Sequence, residues 1–220
     1  MTTQKYILWG AKGHALVLEE IVRTQGGEVI ALFDGASDVA PILKGVELHI
    51  GLEAYEAWSR KQDDRRSINA VAAIGGASGR ARRDYLEIFR RSGFSTPALV
   101  HASAVVSSSA QVGDNCHILA GSVIAPMVEL GEACIVNTNA SVDHECILGA
   151  GVHIAPGATL CGSVEVGENT LIGAGSVVLP RIKIGANVVV GAGSVVTRDI
   201  PDSILVFGNP AKMIHTDSAK

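Results

Sequence analysis

Aromatic side chains make up only 4 % of this 220-residue sequence, a poor supply for a core built around large rings. Cysteine is scarce too. Cys116, Cys134, Cys146 and Cys161 contain no CxxC pair, so neither a disulfide scaffold nor a zinc ribbon is indicated, and a reduced, cytoplasmic chain is the simplest expectation. No excess of one charge is present: 18 Lys and Arg stand against 22 Asp and Glu, a net charge of −4. That leaves no basic stripe for nucleic acid and no like-charge block of the kind that forms a disordered tail. No window approaches the ~18 apolar residues of a membrane span. The opening run MTTQKYILWGAKGHALVL also lacks the basic flank and unbroken apolar stretch of a signal peptide.

What the sequence does have is a repeat. Apolar residues reach 47 % and Gly numbers 25, a mix suited to many small, similar layers. From residue 106 an aliphatic recurs every six positions, from Val106, Val112 and Ile118 through to Val190 and Val196, sixteen times without a slip. Neither the helical period of 3.6 nor the strand period of 2 generates strict sixes. The residue four after each aliphatic is small or β-branched, as in Cys116, Ser122, Ala140, Ala158 and Ser176, and the residue one after is often Gly. This pattern predicts a left-handed parallel β-helix of triangular coils. Three hexads close one coil, residues eighteen apart stack, and each coil buries its apolar face only against its neighbours. Cys116, Cys134 and Cys146 fall on the small inward position and Cys161 lies beside an inward Leu160, so all four read as structural. Gly or Asn near each corner supplies backbone freedom.

The first hundred residues alternate differently. Strands are expected at Tyr6–Trp9, Val29–Phe33 and Asn69–Ile74, and helices at Ala15–Gln25, Leu52–Lys61 and Ala81–Ser92, a small parallel α/β sheet. The boundary falls at Thr96-Pro97, giving a Rossmann-like domain over 1–96 and the β-helix over 97–220. Gly10-Ala11-Lys12-Gly13-His14 joins the first strand to the first helix, and Asp34 ends the second strand. A glycine turn at a helix N-terminus can receive a phosphate, and an acid there can accept from a ribose. The full GxGxxG is missing, so a tight turn with no ligand and a solvated loop acid stand equally open, as does a solvated Lys12. Of seven histidines, His144 sits third in its hexad between Asp143 and Glu145, where an outward imidazole is a candidate general base or a plain surface residue. His117 and His153, two coils apart, share a face and either line a groove or serve structure.

The motifs in combination are more specific. They are the GAKGH turn, Leu99-Val100-His101-Ala102-Ser103-Ala104, Asn137-Thr138, Asp143-His144-Glu145-Cys146 and Gly208-Asn209-Pro210-Ala211-Lys212. With these, residues 5–215 resemble the sialic acid O-acetyltransferase-like family, and especially its N-acetyltransferases of UDP-linked 4-amino sugars and of GDP-perosamine. The resemblance implies a coenzyme A-dependent acetyltransferase. His144 would be the base, Glu145 its orienting partner and Asn137 a member of the same site. Acetyl-CoA would lie along His153, Gly162, Ala174, Ala192 and Lys212. The nucleotide of the amino sugar would sit at Gly10, Lys12, Gly13, His14, Asp34 and Gly35. The resemblance also implies a homotrimer, no metal, and no nucleic-acid or membrane partner. Lys12 stands where such turns often carry a small residue, and Gly35-Ala36-Ser37-Asp38 offers few groups to read a base. Two readings from other classes stand beside this one. One is acetylation of a sugar hydroxyl on the same scaffold. The other is a metal protein of the γ-class carbonic anhydrase kind recruiting His117 and His153, for which no third ligand is evident in the spacing. A small-amine acetyltransferase leaves residues 5–95 without a role.

Overall fold

Short apolar runs alternating with amphipathic stretches, then strict hexads, give two units of different construction. The computed structural model describes residues 3–214; residues 1, 2 and 215–220, His215 among them, lie outside the described residues. One unit holds the residues up to Gly75 with Ala81–Leu99, and the other holds Gly76–Arg80 with the residues from Val100 on.

In the first unit, strands β1 (Lys5–Trp9), β2 (Glu28–Asp34), β3 (Leu48–Ile50) and β4 (Ile68–Ala72) form a parallel sheet in the order β3-β2-β1-β4. Helices α1 (Gly13–Thr24), α2 (Leu52–Arg60) and α3 (Gly79–Arg91) connect them. Each expected element is present within two residues of its expected ends. β3 was not expected, because three residues cannot display a period. β1 is central and buried from Tyr6 to Trp9, which is why it reads as an unbroken apolar run. The scarcity of aromatics proves local. Eight of the nine fall in this unit, where Trp9 stacks on Phe33 and Tyr85 and meets Tyr55 edge-on. Large rings therefore do build one core; it is the other unit that does without them.

The second unit is the left-handed β-helix. Two-residue strands stack in three parallel sheets with partners eighteen residues apart, for example Ile135 against His153 and Val142 against Leu160. The stack begins at Leu99–Val100, one hexad before the aliphatic series. It ends on an antiparallel pair, Leu205–Phe207 with Lys212–Ile214. The hexad aliphatics point inward, and all but Val106 and Val112, at the open end, are buried. The corners need one correction. From Asn115 to Gly193 the left-handed backbone position is the third after each aliphatic, and Asn, Ser, Ala, Glu, Met and Arg occupy it as well as Gly. The glycines one after the aliphatic are not left-handed. They are small because a Cβ on Gly113 or Gly131 would press on the next coil's backbone, 2.7 Å from Glu132 N and Ala150 N respectively.

The inward cysteines are fully buried, and burial pushes the Cys146 thiol up to about 11 from its ordinary 9. At pH 8 a thiol reagent should modify at most Cys161 in the native protein and all four cysteines after unfolding. Rapid native labelling of three or four would contradict the inward placement. Above pH 9 the unfolded Cys146 thiol ionises while the folded one stays protonated to about 11, so this site removes stability as pH rises through that window.

Candidate active site

In the first unit a cavity of about 500 Å³ opens at the carboxyl ends of the strands, lined by Trp9, Gly10, Lys12, His14, Asp34, Gly35, Ala73 to Gly75 and Tyr85. β1 runs out at Trp9, and Gly10 turns the chain at φ +110°, where a Cβ would also collide with the Ala73 carbonyl. α1 then starts at Gly13, capped by Lys12 with no side-chain hydrogen bond and with no acid in its first turn. Asp34 ties the rim together. Its carboxylate accepts the N–H of Ala11 at 2.9 Å and of Ala36 at 3.0 Å. Trp9 and Tyr85 stack with centroids 4.1 Å apart. Burial raises the Tyr85 phenol above its ordinary range, so its hydroxyl stays protonated. All expected residues of this group except Gly13 line the cavity. Trp9, Tyr85 and Ala73 to Gly75 were not foreseen, and only their position at strand ends and on the inner face of α3 could have signalled them.

In the second unit the expected residues lie along two edges of the prism. His144 occupies one edge, in the turn after strand Ser141–Val142. Its Nδ1 lies 3.0 Å from Glu145 Oε2, so Nδ1 carries the proton and Nε2 is left with a lone pair. Asp143 bonds the His144 backbone N–H at 2.8 Å, not the ring. Ser163 Oγ donates to the same Glu145 oxygen at 3.4 Å. Nε2 hangs over Gly162 in the next coil, only 2.5 Å from where a Cβ there would stand. The other edge stacks Thr138, Pro156, Ala174 and Ala192, tied coil to coil by backbone bonds such as Gly193 N–H to Ala174 carbonyl at 2.8 Å. Beside it His153 Nε2 meets Asn137 Nδ2 at 3.1 Å, and His153 Nδ1 meets the Gly76 carbonyl at 3.0 Å. The six-stranded sheet spans the two edges, its outward side chains running Val105, Val123, Ser141, Thr159, Val177 and Val195. Lys212 is exposed on the terminal antiparallel pair. His117 stacks in line with Ile135 and His153. Among the described residues no group of three His, Cys, Asp or Glu is arranged to hold a metal ion. A groove of about 600 Å³ on the five-stranded face, with the Lys183–Glu165 ion pair, contains none of the expected residues.

Two family models match the chain, the bacterial transferase hexapeptide (six repeats) over residues 163–198 and the hexapeptide repeat of succinyl-transferase over residues 99–126. No curated protein sequence matches it. Among solved structures, perosamine N-acetyltransferase from Caulobacter crescentus is 37 % identical over 96 % of both chains, with a TM-score of 0.87. That structure is of a histidine-to-asparagine mutant in complex with CoA and GDP-perosamine. The acetyltransferase domain of PglB from Neisseria gonorrhoeae, in complex with acetyl coenzyme A, is 32 % identical over 97 % of this chain and 100 % of that one, with a TM-score of 0.85. WeeI from Acinetobacter baumannii, at 24 % identity and a TM-score of 0.84, shares the fold.

Gly162 is outside the left-handed region, so its backbone tolerates a side chain and only the ring above it does not. Gly162→Ala should therefore leave the fold intact and swing the His144 imidazole off Glu145. Imidazole ¹⁵N–¹H spectra of the variant would show this as loss of the protected Nδ1–H. An unchanged ring signal would contradict the packing.

Proposed function

The chain belongs to the hexapeptide-repeat transferases, among the N-acetyltransferases of nucleotide-linked amino sugars, and from that membership we propose how its parts divide the reaction. It transfers the acetyl group of acetyl-CoA to the amino group of a nucleotide-linked sugar. Similarity over 96 % of both chains to an enzyme whose crystals hold CoA and GDP-perosamine carries this conclusion. In our reading the amine is the one at C4 of the sugar, as the family resemblance implies. The α/β unit grips the nucleotide. Gly13 and the start of α1, where Lys12 makes no side-chain cap, present N–H groups to the phosphates, and Gly10, its own N–H held by the Phe33 carbonyl, turns the backbone beside them. Lys12 and His14 flank them, and Asp34 with Gly35 faces the nucleoside. The aromatic pair Trp9–Tyr85 at the same cavity supports this assignment.

The β-helix holds the donor and the base. The pantetheine arm lies along the Ala174–Ala192 edge, with Gly162 and His153 toward the thioester and Lys212 toward the far end. A sugar amine is largely protonated near neutral pH and must first lose one proton to solvent, after which the neutral amine attacks. His144 Nε2 takes a proton from the nitrogen as it bonds to the thioester carbon. Glu145 stabilises the imidazolium through Nδ1–H. Collapse of the adduct breaks the carbon–sulfur bond, and His144 returns the proton to the departing thiolate. No covalent acyl-enzyme is required, and Cys146, turned inward with its thiol on the Cys161 carbonyl, is not placed to form one. The free pair of nitrogen electrons on His144, fixed by Glu145 at 3.0 Å, is the observation that favours it as base. One relative, the Caulobacter crescentus enzyme, was crystallised with the same histidine replaced by Asn and by Ala, each time with CoA and GDP-perosamine bound. This supports a histidine that serves turnover, not binding. A homotrimer fits the β-branched outward stripe of the six-stranded sheet, on which Val105 is 63 % exposed and Val123 39 %. A cytoplasmic location fits the four free cysteines, and no helix among the described residues is long and apolar enough to cross a membrane.

His144→Ala and His144→Asn should each lower kcat by ~10²-fold or more while CoA still binds. Turnover near wild type would remove His144 from the role. In a thermal-shift panel, GDP, UDP or dTDP should raise Tm, the more so the tighter it binds the native state. A preference for CMP, or no shift with any of them, would count against the nucleotide-sugar assignment.

A further inference from the structure

The mechanism places one buried group, His153, toward the thioester but gives no task to the two bonds its ring makes. His153 is only 6 % exposed, and both ring nitrogens are engaged. The Gly76 carbonyl can only accept, so Nδ1 must carry the proton. Nε2 is then an acceptor and takes one N–H of Asn137 Nδ2. The Asn137 Oδ1 in turn accepts the N–H of Thr138 at 2.8 Å. These three bonds fix the Asn137 carboxamide at the edge that carries Ala174 and Ala192, with its second Nδ2–H still available for a further bond.

The carbonyl that fixes the tautomer does not come from the coils themselves. It belongs to the segment 76–80, which joins β4 to α3 and packs with the β-helix. Gly79 in that segment lies backbone to backbone on the coil. A Cβ there would strike the Gly151 carbonyl and come within 2.8 Å of Asn169 Cα. Immediately before it in sequence, Ala73, Ile74 and Gly75 line the nucleotide cavity. Gly76, the next residue, turns the chain at φ +67°. One short stretch of backbone therefore lines the acceptor's cavity and also supplies the bond that orients His153.

We propose that His153 is a positioning residue that couples occupancy of the nucleotide cavity to the acetyl-CoA edge through the Gly76 carbonyl and the Asn137 carboxamide. A nucleotide that orders Ala73 to Gly75 restrains the Gly76 carbonyl. That holds His153 in the Nδ1–H tautomer and presents Asn137 in one orientation. The coupling is positive and, as a binding free energy, reciprocal. It rests on the donor and acceptor assigned above.

Calorimetric titration of CoA into the full-length protein, with and without saturating GDP or UDP, tests it. CoA should bind at least about fivefold tighter in the presence of whichever nucleotide binds, and the nucleotide tighter by the same factor when CoA is present. His153→Gln keeps an acceptor where Nε2 stood but has no donor for Gly76. In it both ligands should still bind, with affinities independent of one another, and kcat should exceed that of His153→Ala, in which Asn137 is also released. A merely structural histidine would lower Tm without separating these quantities. CoA affinity within about twofold with and without nucleotide in the wild type, or coupling intact in His153→Gln, would overturn the proposal. Failure of CoA to bind at all would refute the donor assignment itself, and the coupling with it.

Discussion

Everything in the larger unit depends on the eighteen-residue register between coils. Each strand of two residues is too short to be stable alone and is held by backbone bonds to the strands eighteen before and eighteen after. The same register carries the side-chain order inward. A fully buried aliphatic such as Ile154 stacks between Val136 and Ile172, and truncating any of them would open a void that the stacked coils cannot close. The small inward position does more than fit. Cys116, Cys134 and Cys146 direct their thiols to the carbonyls of Gly131, Gly149 and Cys161 at 3.1–3.2 Å, and Ser176 and Thr170 reach Gly191 and Gly185 at 2.9 and 2.8 Å. Buried carbonyls at the corners are thereby satisfied from inside the prism. Cysteine, serine and threonine are alike here in offering one short donor, which the Val and Ile that hold the same inward position in other hexads, such as Val128 and Val152, do not.

The register also decides which chemistry meets. His144 and Gly162 are eighteen apart, so a ring on one coil must lie over whatever the next coil carries at that corner, and only glycine leaves it room. Glu145 takes a left-handed backbone at φ 60°, a conformation that costs an ordinary residue about 1 kcal/mol or more. The same conformation at Met127, Ala133 and Arg181 shows that it belongs to the turn and not to the site. The scaffold thus imposes the angle at which Glu145 approaches His144, through a turn geometry shared by the corners from Asn115 to Gly193.

Much of this could be read from the sequence, and the limits were physical. Sixteen hexads determine coil, face and burial, because the repeat is strict and each layer sees the same neighbours. Adding eighteen to 144 would have placed Gly162 under the imidazole, a relation the resemblance supplied only as part of the cofactor groove. The bond from His153 to Gly76 was not readable, since the two are seventy-seven residues apart and no periodicity connects them. β3 was missed because Leu48-His49-Ile50 is too brief to show alternation. The aromatic cavity floor was missed because Trp9 and Tyr85 come from different elements and meet only once the sheet is formed. Backbone freedom does account for corner residues such as Gly121 and Asn139, at φ +67° and +55°, but not for the glycine that directly follows an aliphatic. Close approach of successive coils, not backbone freedom, keeps Gly113 and Gly131 small.

The His144–Glu145 pair contributes little to holding the fold. Its side chains are 55 % and 64 % exposed, and solvent-exposed ion pairs are worth only about 0–1 kcal/mol. The coil beneath is kept in place by backbone bonds that do not involve it, such as Ser163 N–H to the His144 carbonyl. The His144 backbone therefore belongs to the stack, while its ring stands outside the bonds that hold the coils together. His153 has the opposite arrangement, with its ring buried and both nitrogens committed. A proton-transfer group needs an accessible lone pair and a tolerant surrounding, and an orienting group needs neither. On that distinction the two histidines, nine residues apart in sequence, differ in kind: one ring is exposed with a single partner, and the other is buried with both nitrogens bonded.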